Sequence, residues 1–453
     1  MAATEKLLGA SGVLFTDRRN FYVDPQVTKE LWTDVAPFTT MISNQEQRDV
    51  PDPVFKMFEH RNPWVKQEFK AKEDVDDVDN NATLPANDVG SVELEIDSIQ
   101  GLASPVDSSY IGLQCEVWNS DKTSKKGVVY VSALGSTAGH IIIKNIGGSA
   151  MDINNNDCFL VIGNAHGEGS SAPEAWADEL DVVYNSCQIF KTPLQVTGTL
   201  EAAVLRGESS ELARLRRMKA QEHKMQKEKA FLFGKRLGGT GLGDAAYDAG
   251  NVGSDPAEGV LEDGGRTDAN GNLVRTTYGI ISALEQYGNS TATDDAQNIF
   301  TIDDSYGYAD FVDDMEKVFQ YIPEAGVKRA FVGAGALGYW SKMAGSSGLS
   351  GNSGWTVNLG DMARDSLGFN YRVLETPHGM LQLIPTPALR GPYNKYMAVV
   401  SEENLFHAIY RPSMYQTNIK TDNAFDGVKD QYMSDEGVGI QLIESHHLFK
   451  ITA

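Results

Sequence analysis

Cysteine is nearly missing from this chain, with three residues (Cys115, Cys158 and Cys187) in 453. The number is odd and the spacing fits no zinc pattern, which excludes a disulfide framework and a thiolate metal centre. Three reduced, partly buried thiols of a cytoplasmic product are expected. Basic residues are also scarce, 39 Lys and Arg against 62 Asp and Glu, giving a net charge of −23. That balance argues against bulk binding to DNA or an anionic membrane, which needs a net basic face. No apolar run approaches the roughly 20 residues of a membrane helix. The opening MAATEKLLGASGVLF lacks a basic segment followed by a long apolar core, so no signal peptide is expected. Because the chain opens on Met1, we also expect that no N-terminal scaffolding segment was cut away. There is no internal repeat, no G-x-S-x-G elbow and no P-loop lysine motif.

What is present suffices for globular cores. Hydrophobic residues make up 41% and aromatics 9% of a length that holds roughly two to four domains. The charge reverses sign in one place. Ser209–Arg236, SSELARLRRMKAQEHKMQKEKAFLFGKR, carries nine Lys or Arg against three Glu, so the remainder carries −23 − 6 = −29. Ser209, Ser210 and Glu211 mark a helix start, and Lys235, Arg236, Gly238 and Gly239 mark its end. Leu212, Leu215, Met218, Met225 and Leu232 form a narrow apolar stripe on a rod roughly 40 Å long. Its flanks therefore need charged neighbours: nucleic acid, this chain, or another copy of it. Phosphate contacts by Arg214, Arg216 and Arg217 are one reading. Against it, Glu211, Glu222 and Glu228 interleave, the bases point all round the rod, and aromatics are absent until Phe231 and Phe233. Ion pairing with acidic groups is preferred, above all those of a neighbouring copy. Arg214, Arg216, Arg217 and Lys224 are the basic candidates. The run Glu73–Asp79, by itself a solvated stretch, offers Glu73, Asp74, Asp76 and Asp77.

Along the chain, residues 1–45 read as an arm. It contains a short helix at Val27–Phe38, which Pro37 would end. Pro51, Pro53 and Pro63 make the next stretch an extended or edge segment. Over 92–164, the runs VELEI, CEVW, GVVYVSAL, HIIIKNI and DCFLVIG alternate with NSDKTSKKG, GSTAG, GGS and NNND. That spacing predicts a small antiparallel β-barrel or sandwich. After a Gly/Ser linker, DVVYNSCQIFKTPLQVTGT reads as one or two strands bent at Pro193. A Gly/Asp-rich loop spans 238–275, a length that suits a chain reaching over a neighbour. From Thr276 onward helices (TYGIISALEQY, YADFVDDMEKVFQYI, ALGYWSKMA) mix with strands (RAFVGAG, NYRVLET, MLQLIPT, KYMAVV, GIQLIESHHLFKIT).

Few constellations suggest chemistry. Gly333-Ala-Gly335-Ala-Leu-Gly338 matches G-x-G-x-x-G after a strand, the context of a dinucleotide site. No βαβ unit with an acidic strand end follows, so close helix–strand packing is the plainer account. Adjacent His446 and His447 on a strand face opposite sides and cannot easily chelate one ion. Asp422, Asp426 and Asp430 do not follow the Ca²⁺-loop pattern. His166-Gly-Glu168 lies in the linker. No catalytic, cofactor or metal residue is expected.

The order of parts resembles the major capsid proteins of tailed bacteriophages with the Hong Kong 97-type (HK97-like) fold. The carrying residues are Tyr184-Asn185-Ser186-Cys187-Gln188-Ile189-Phe190, then Val196-Thr197-Gly198-Thr199, then Glu211–Gly234 ending in EKAFLFG. The resemblance implies an α+β fold with an N-arm at 1–45 and an extended-loop limb at 46–91. An inserted β module at 92–164 and a peripheral domain at 165–275, with its spine helix at 209–236, follow. Residues 276–453 would be mainly the axial domain, with a late strand returning to the periphery. It also implies pentamers and hexamers of an icosahedral virion shell around phage double-stranded DNA, assembled in the bacterial cytoplasm without sequence-specific DNA binding. A portal protein, and scaffolding or cement proteins, would be partners. Two alternatives stay open: a dinucleotide-dependent oxidoreductase using Gly333–Gly338, and a β-module tail or adhesin protein.

Overall fold

In a computed structural model the described residues are 36–59, 68–73, 83–97, 106, 108–169, 181–203, 211–235, 269–270, 272, 274–290, 297–320, 326–346, 359–364, 370–419 and 426–452. Most of the arm, most of the acidic run and nearly all of the 238–275 loop lie outside them. The chain divides into two units. One comprises residues 1–57 and 184–453, the other residues 58–183.

The second unit is an antiparallel sheet of six strands. These are β3 (Glu68–Lys70), β4 (Ser91–Glu95), β5 (Leu113–Trp118), β6 (Lys125–Leu134), β7 (His140–Asn145) and β8 (Cys158–Asn164), in the order β3-β8-β5-β6-β7-β4. Its edges meet. Ala71 bridges Ile96, the Lys72 N–H donates to the Glu95 carbonyl at 2.9 Å, and the Asp97 N–H to that of Lys70 at 2.9 Å. The sheet is thus a closed barrel, which removes exposed edges. Period-two alternation fills it: Leu113, Cys115 and Val117, then Val129 and Val131, then Ile141 and Ile143, around stacked Phe69 and Phe159. Lys122, Gly139 and Asn156 take positive φ in three of the expected turns. The five runs read from 92–164 are all strands, and β3 comes from upstream of them. A barrel with closed edges and its own core should fold alone. Residues 58–183 expressed by themselves are expected to melt cooperatively, and Val117→Asp, which buries an unpaired charge, to abolish that transition.

Among the described residues the first unit holds two sheets of four or more strands, and β2 (Val54–Glu59) belongs to neither. A four-stranded sheet has the order β1-β17-β18-β10, from β1 (Gln47–Asp49), β10 (Gln188–Thr197), β17 (Leu405–Gln416) and β18 (Gly427–Ile440). The break between β9 (Asp181–Ser186) and β10 falls at Cys187, not at Pro193. Pro193 sits inside β10 opposite Gln431. An edge strand can point one face of its backbone away from the ladder, so the missing N–H does no harm. Pro37 likewise does not end a helix. It opens α1 (Pro37–Gln45), at the first turn where an N–H would have no helical partner. The expected Val27–Phe38 helix otherwise lies outside the described residues.

The seven-stranded sheet has the order β11-β19-β16-β12-β15-β14-β13: β11 (Ile299–Ile302), β12 (Val327–Val332), β13 (Leu359–Arg364), β14 (Asn370–Glu375), β15 (Met380–Pro385), β16 (Tyr396–Val400) and β19 (His447–Ile451). Its central strands are mostly apolar because both faces are covered, with Lys328, Arg329, Gln382, His447 and Lys450 as exceptions. Phe331, Ala398, Val400 and Leu448 feed one core with α1 and α4 (Ile280–Tyr287). Ala330, Val332, Met397, Val399 and Phe449 feed another, with α5 (Tyr308–Phe319) and α6 (Ala334–Ser346). The segment GIQLIESHHLFKIT is two strands, not one. Leu442, at φ 47°, and a 3₁₀ turn at Ile443–Ser445 separate β18 from β19.

Candidate functional site

The basic helix is α3 (Glu211–Phe233), following the short α2 (Gly198–Ala202). Its residues include no Gly, Pro or β-branched side chain, so propensity alone favours the helix. It ends at Gly234, earlier than the sequence signals. A Cβ on Gly234 would meet the Ala230 and Thr277 carbonyl oxygens at 2.4 and 2.5 Å, and the Gly279 N–H donates to the Gly234 carbonyl at 2.8 Å. The apolar stripe is not what the helix buries. Of Leu212, Leu215, Met218, Met225 and Leu232, only Leu232 is buried, joined by Phe231, His223 and Glu228.

The face of α3 toward the four-stranded sheet is a polar seam. Arg216 Nη2 donates to Asp430 Oδ2 at 2.9 Å and its Nε to the Tyr415 hydroxyl at 2.6 Å; Tyr415 in turn donates to Asp430. Asp430 is fully buried, and the Asn418 N–H donates to its other oxygen at 2.8 Å. Burial works to raise Asp430, but these hydrogen bonds and the Arg216 charge hold it below the usual carboxylate range. About three turns on, Lys227 Nζ reaches Ser413 Oγ at 3.0 Å and Glu436 Oε2 at 3.2 Å. Glu436 also takes Ser413 Oγ at 2.7 Å and His407 Nε2 at 3.0 Å. Burial pushes Glu436 up; the His407 and Ser413 hydrogen bonds and the Lys227 charge outweigh it and hold it at about 2. Between the two ion pairs lies His223. Thr192 gives its hydroxyl proton to Gln226 Oε1, so His223 Nδ1–H donates to Thr192 at 3.0 Å and Nε2 accepts from Ser434 at 3.1 Å. Burial, then the Lys227 charge, lowers His223 to about 4, so it is neutral.

At its C-terminal half α3 holds α1. The Glu228 carboxylate accepts the Phe38 N–H at 3.1 Å, the Thr39 N–H at 2.7 Å and the Thr39 hydroxyl at 2.7 Å. Glu228 is fully buried, which raises its carboxyl against the pull of these donors.

The sequence candidates fall as follows. Arg214 pairs with Glu211 on its own helix, and Arg216 with Asp430 of the sheet. At Arg216 and Lys227 the rod meets acidic groups of its own chain, Asp430 and Glu436. Arg217 is exposed, and Lys224 lies within electrostatic reach of Glu228. Glu73, in the barrel unit, accepts the Glu95 N–H at 2.7 Å. Asp74, Asp76 and Asp77 lie outside the described residues. Sequence reasoning missed His223, Asp430 and Glu436 as seam residues and Glu228 as an anchor. In the resemblance motif, Asn185 is buried and fully used: Nδ2 donates to Val438 and Tyr278 carbonyls, and Oδ1 accepts the Tyr278 and Ser186 N–H groups.

The N–H groups of the glycine motif that would face a dinucleotide phosphate are engaged by Asn394. The Gly335 N–H donates to Asn394 Oδ1 at 3.0 Å and the Ala336 N–H to the Asn394 carbonyl at 3.1 Å. A Cβ at Gly333 would stand 2.2 Å from that carbonyl. Gly333 and Gly335 serve close packing at the start of α6, whereas a Cβ at Gly338 would meet nothing within 4 Å. The neighbouring histidines are core residues. His446 Nδ1 accepts the Ser401 N–H at 3.2 Å and burial lowers it to about 3; His447 stacks on Phe300. Lys328, buried beside them, donates to the Ser445 carbonyl at 2.8 Å, and burial lowers it from 10.5 to about 7. A depressed lysine leaves the fold less stable below about pH 7 than above pH 10.5, by about 5 kcal/mol. Lys328→Met removes that burden but orphans the Ser445 carbonyl, worth about 1–3 kcal/mol. A net gain of about 2 kcal/mol at pH 7 is expected in denaturant unfolding, together with a flatter stability profile between pH 7 and 10.5.

Among the described residues a basic helix is pinned on an acidic sheet, and Gly333, Gly335, His446 and His447 are taken up by internal contacts. The family model of the SU10 major capsid protein matches residues 22–253 and 257–440, and the chain belongs to that family. It is a structural protein of the bacteriophage capsid, and its place is the virion. No curated protein matches the chain. Among solved structures it is similar to the capsid of a native GTA particle, at 9% identity, covering 99% of this chain and 100% of that one, with a TM-score of 0.45. Chains from Mycobacterium phage Bobi (6% identity, 98% and 99% covered, TM-score 0.43) and Microbacterium phage Oxtober96 (10%, 96% and 96%, TM-score 0.41) are also similar. At those scores the assignment rests on the family match.

Proposed function

We propose that this chain self-assembles through pentamers and hexamers into an icosahedral head around double-stranded DNA, and that it catalyses no reaction. The family match over 22–253 and 257–440 carries this reading. Charge supports it: α3 pairs Arg216 and Lys227 with its own sheet, and the chain as a whole keeps a net charge of −23 to repel packaged DNA. Assembly takes place in the host bacterial cytoplasm, with a portal protein and with scaffolding or cement proteins as partners. Residues 1–45 act as an N-arm, 46–91 as a rising limb, 92–164 as the inserted module, 165–275 as the peripheral domain and 276–453 as mainly the axial domain. Arg217 and Lys224 on α3, and Asp74, Asp76 and Asp77, meet neighbouring copies. Cryo-electron microscopy of the purified product tests this. Closed shells with five- and sixfold capsomers are expected; a compact monomer at high concentration that binds NAD stoichiometrically overturns it.

A further inference from the structure

We propose that Glu228 is a latch that fastens α1, and with it the departure point of residues 1–35, to α3. The first turn of α1 cannot cap itself. Its N-cap residue is Ala36, which has no side-chain acceptor, and Pro37 has no N–H to offer. The next two N–H groups, of Phe38 and Thr39, are buried and would be orphans. Both go to one carboxylate 190 and 189 residues away, and the Thr39 hydroxyl goes with them. The cap of this helix is thus supplied in full by another helix. The charge also suits the positive end of the α1 dipole.

The rest of the α1 contact is of a different kind. Phe38, Met41 and Ile42 are buried in the shared core, and Phe38 meets Phe331 edge-on at 5.1 Å. Apolar packing of this sort is tolerant of small rotations and shifts, whereas a three-donor carboxylate fixes one register. On the far side, β1 continues from α1 into the sheet, with Gln47 opposite His407. The segment is tied at both ends, by Glu228 at the start and by β1 at the finish. Only the first tie rests on a single side chain. Loss of it should free the start of α1 while its end stays fixed, and a displacement of α3 should carry that start along.

Hydrogen exchange with mass spectrometry on unassembled protein reads this directly, and its outcome does not depend on the shell reading. In Glu228→Ala, amides of Phe38–Ile42 are expected to exchange at least about tenfold faster, since each orphaned buried group shifts opening by that order. Amides of β17 and β18, and of α3 away from residue 228, should keep their protection. Glu228→Gln keeps the volume and one acceptor and should fall in between; Thr39→Val keeps Glu228 and should give the smallest effect. Unchanged exchange at Phe38–Ile42 in Glu228→Ala overturns the proposal. So does a uniform rise across α3 and the sheet in Glu228→Gln, which would make Glu228 an ordinary core group.

Discussion

Arg216→Glu should lower the free energy of unfolding by about 3 kcal/mol or more, read as a lower denaturant midpoint at unchanged slope. Asp430 is fully buried and its charge is answered by Arg216 and by the Tyr415 hydroxyl. Removing the guanidinium leaves a buried anion, and a carboxylate in its place adds repulsion at the same spot. Arg216→Met should therefore be destabilising but less so, and adding Asp430→Asn should recover most of that loss, because both charges are then gone. This has a consequence for assembly tests. Reversing Arg214, Arg216 and Arg217 together should abolish shells whether or not a neighbour is lost, because the Arg216–Asp430 pair goes with it. Arg217→Glu alone, on an exposed residue, leaves that pair in place, and its shells are expected to fail where Arg217 meets another copy. Normal shells from that variant would remove Arg217 from the interface.

The seam also shows what the sequence hid. The barrel strands were legible because one face of each is apolar and the other wet: Ile141 and Ile143 alternate with outward residues, and Asn or Gly marks the turns. β17 and β18, the longest strands, gave no such pattern. Their faces toward α3 present His407, Ser413 and Tyr415, or Asp430, Ser434 and Glu436, so a half-buried strand reads as a polar loop. The sign of the rod demanded an acidic partner, but charge totals carry no address. Only the fold brings residue 216 to residue 430. Glu228 was counted among the interleaved acids that dilute the rod, since no local signal separates a solvated Glu from one that caps a distant helix. The glycine motif failed in the opposite way: its spacing is local and real, but the Asn394 backbone fills the space a pyrophosphate would take.

Acid should loosen α3 from its sheet in two steps. His223 is lowered from 6.5 to about 4 in the fold, so its contribution is whole above pH 6.5 and is lost as pH falls toward 4. Glu436 is lowered from 4.5 to about 2, so its contribution is whole above pH 4.5 and is lost toward pH 2. Each shift corresponds to about 3 kcal/mol. Both groups are buried against the same stretch of helix, with Thr192 and Ser434 on one side and Lys227, Ser413 and His407 on the other. Protonating His223 places a cation beside Lys227 and costs its nitrogen the Ser434 proton. Protonating Glu436 then leaves Lys227 and His407 without their shared anion. Unfolding free energy measured from pH 7 to 3 should fall most steeply below pH 6, and amides of α3 should lose exchange protection before those of the seven-stranded sheet. Glu436→Gln should be less stable at pH 7 yet flatter below pH 4.5. His223→Gln, which keeps a donor and an acceptor without a titrating ring, should shrink the fall between pH 6.5 and 4 and leave the share of His446, which burial lowers to about 3. A wild-type curve that stays level from pH 6.5 to 4 would show that His223 does not carry the seam, and one that stays level from pH 4.5 to 3 would show the same for Glu436.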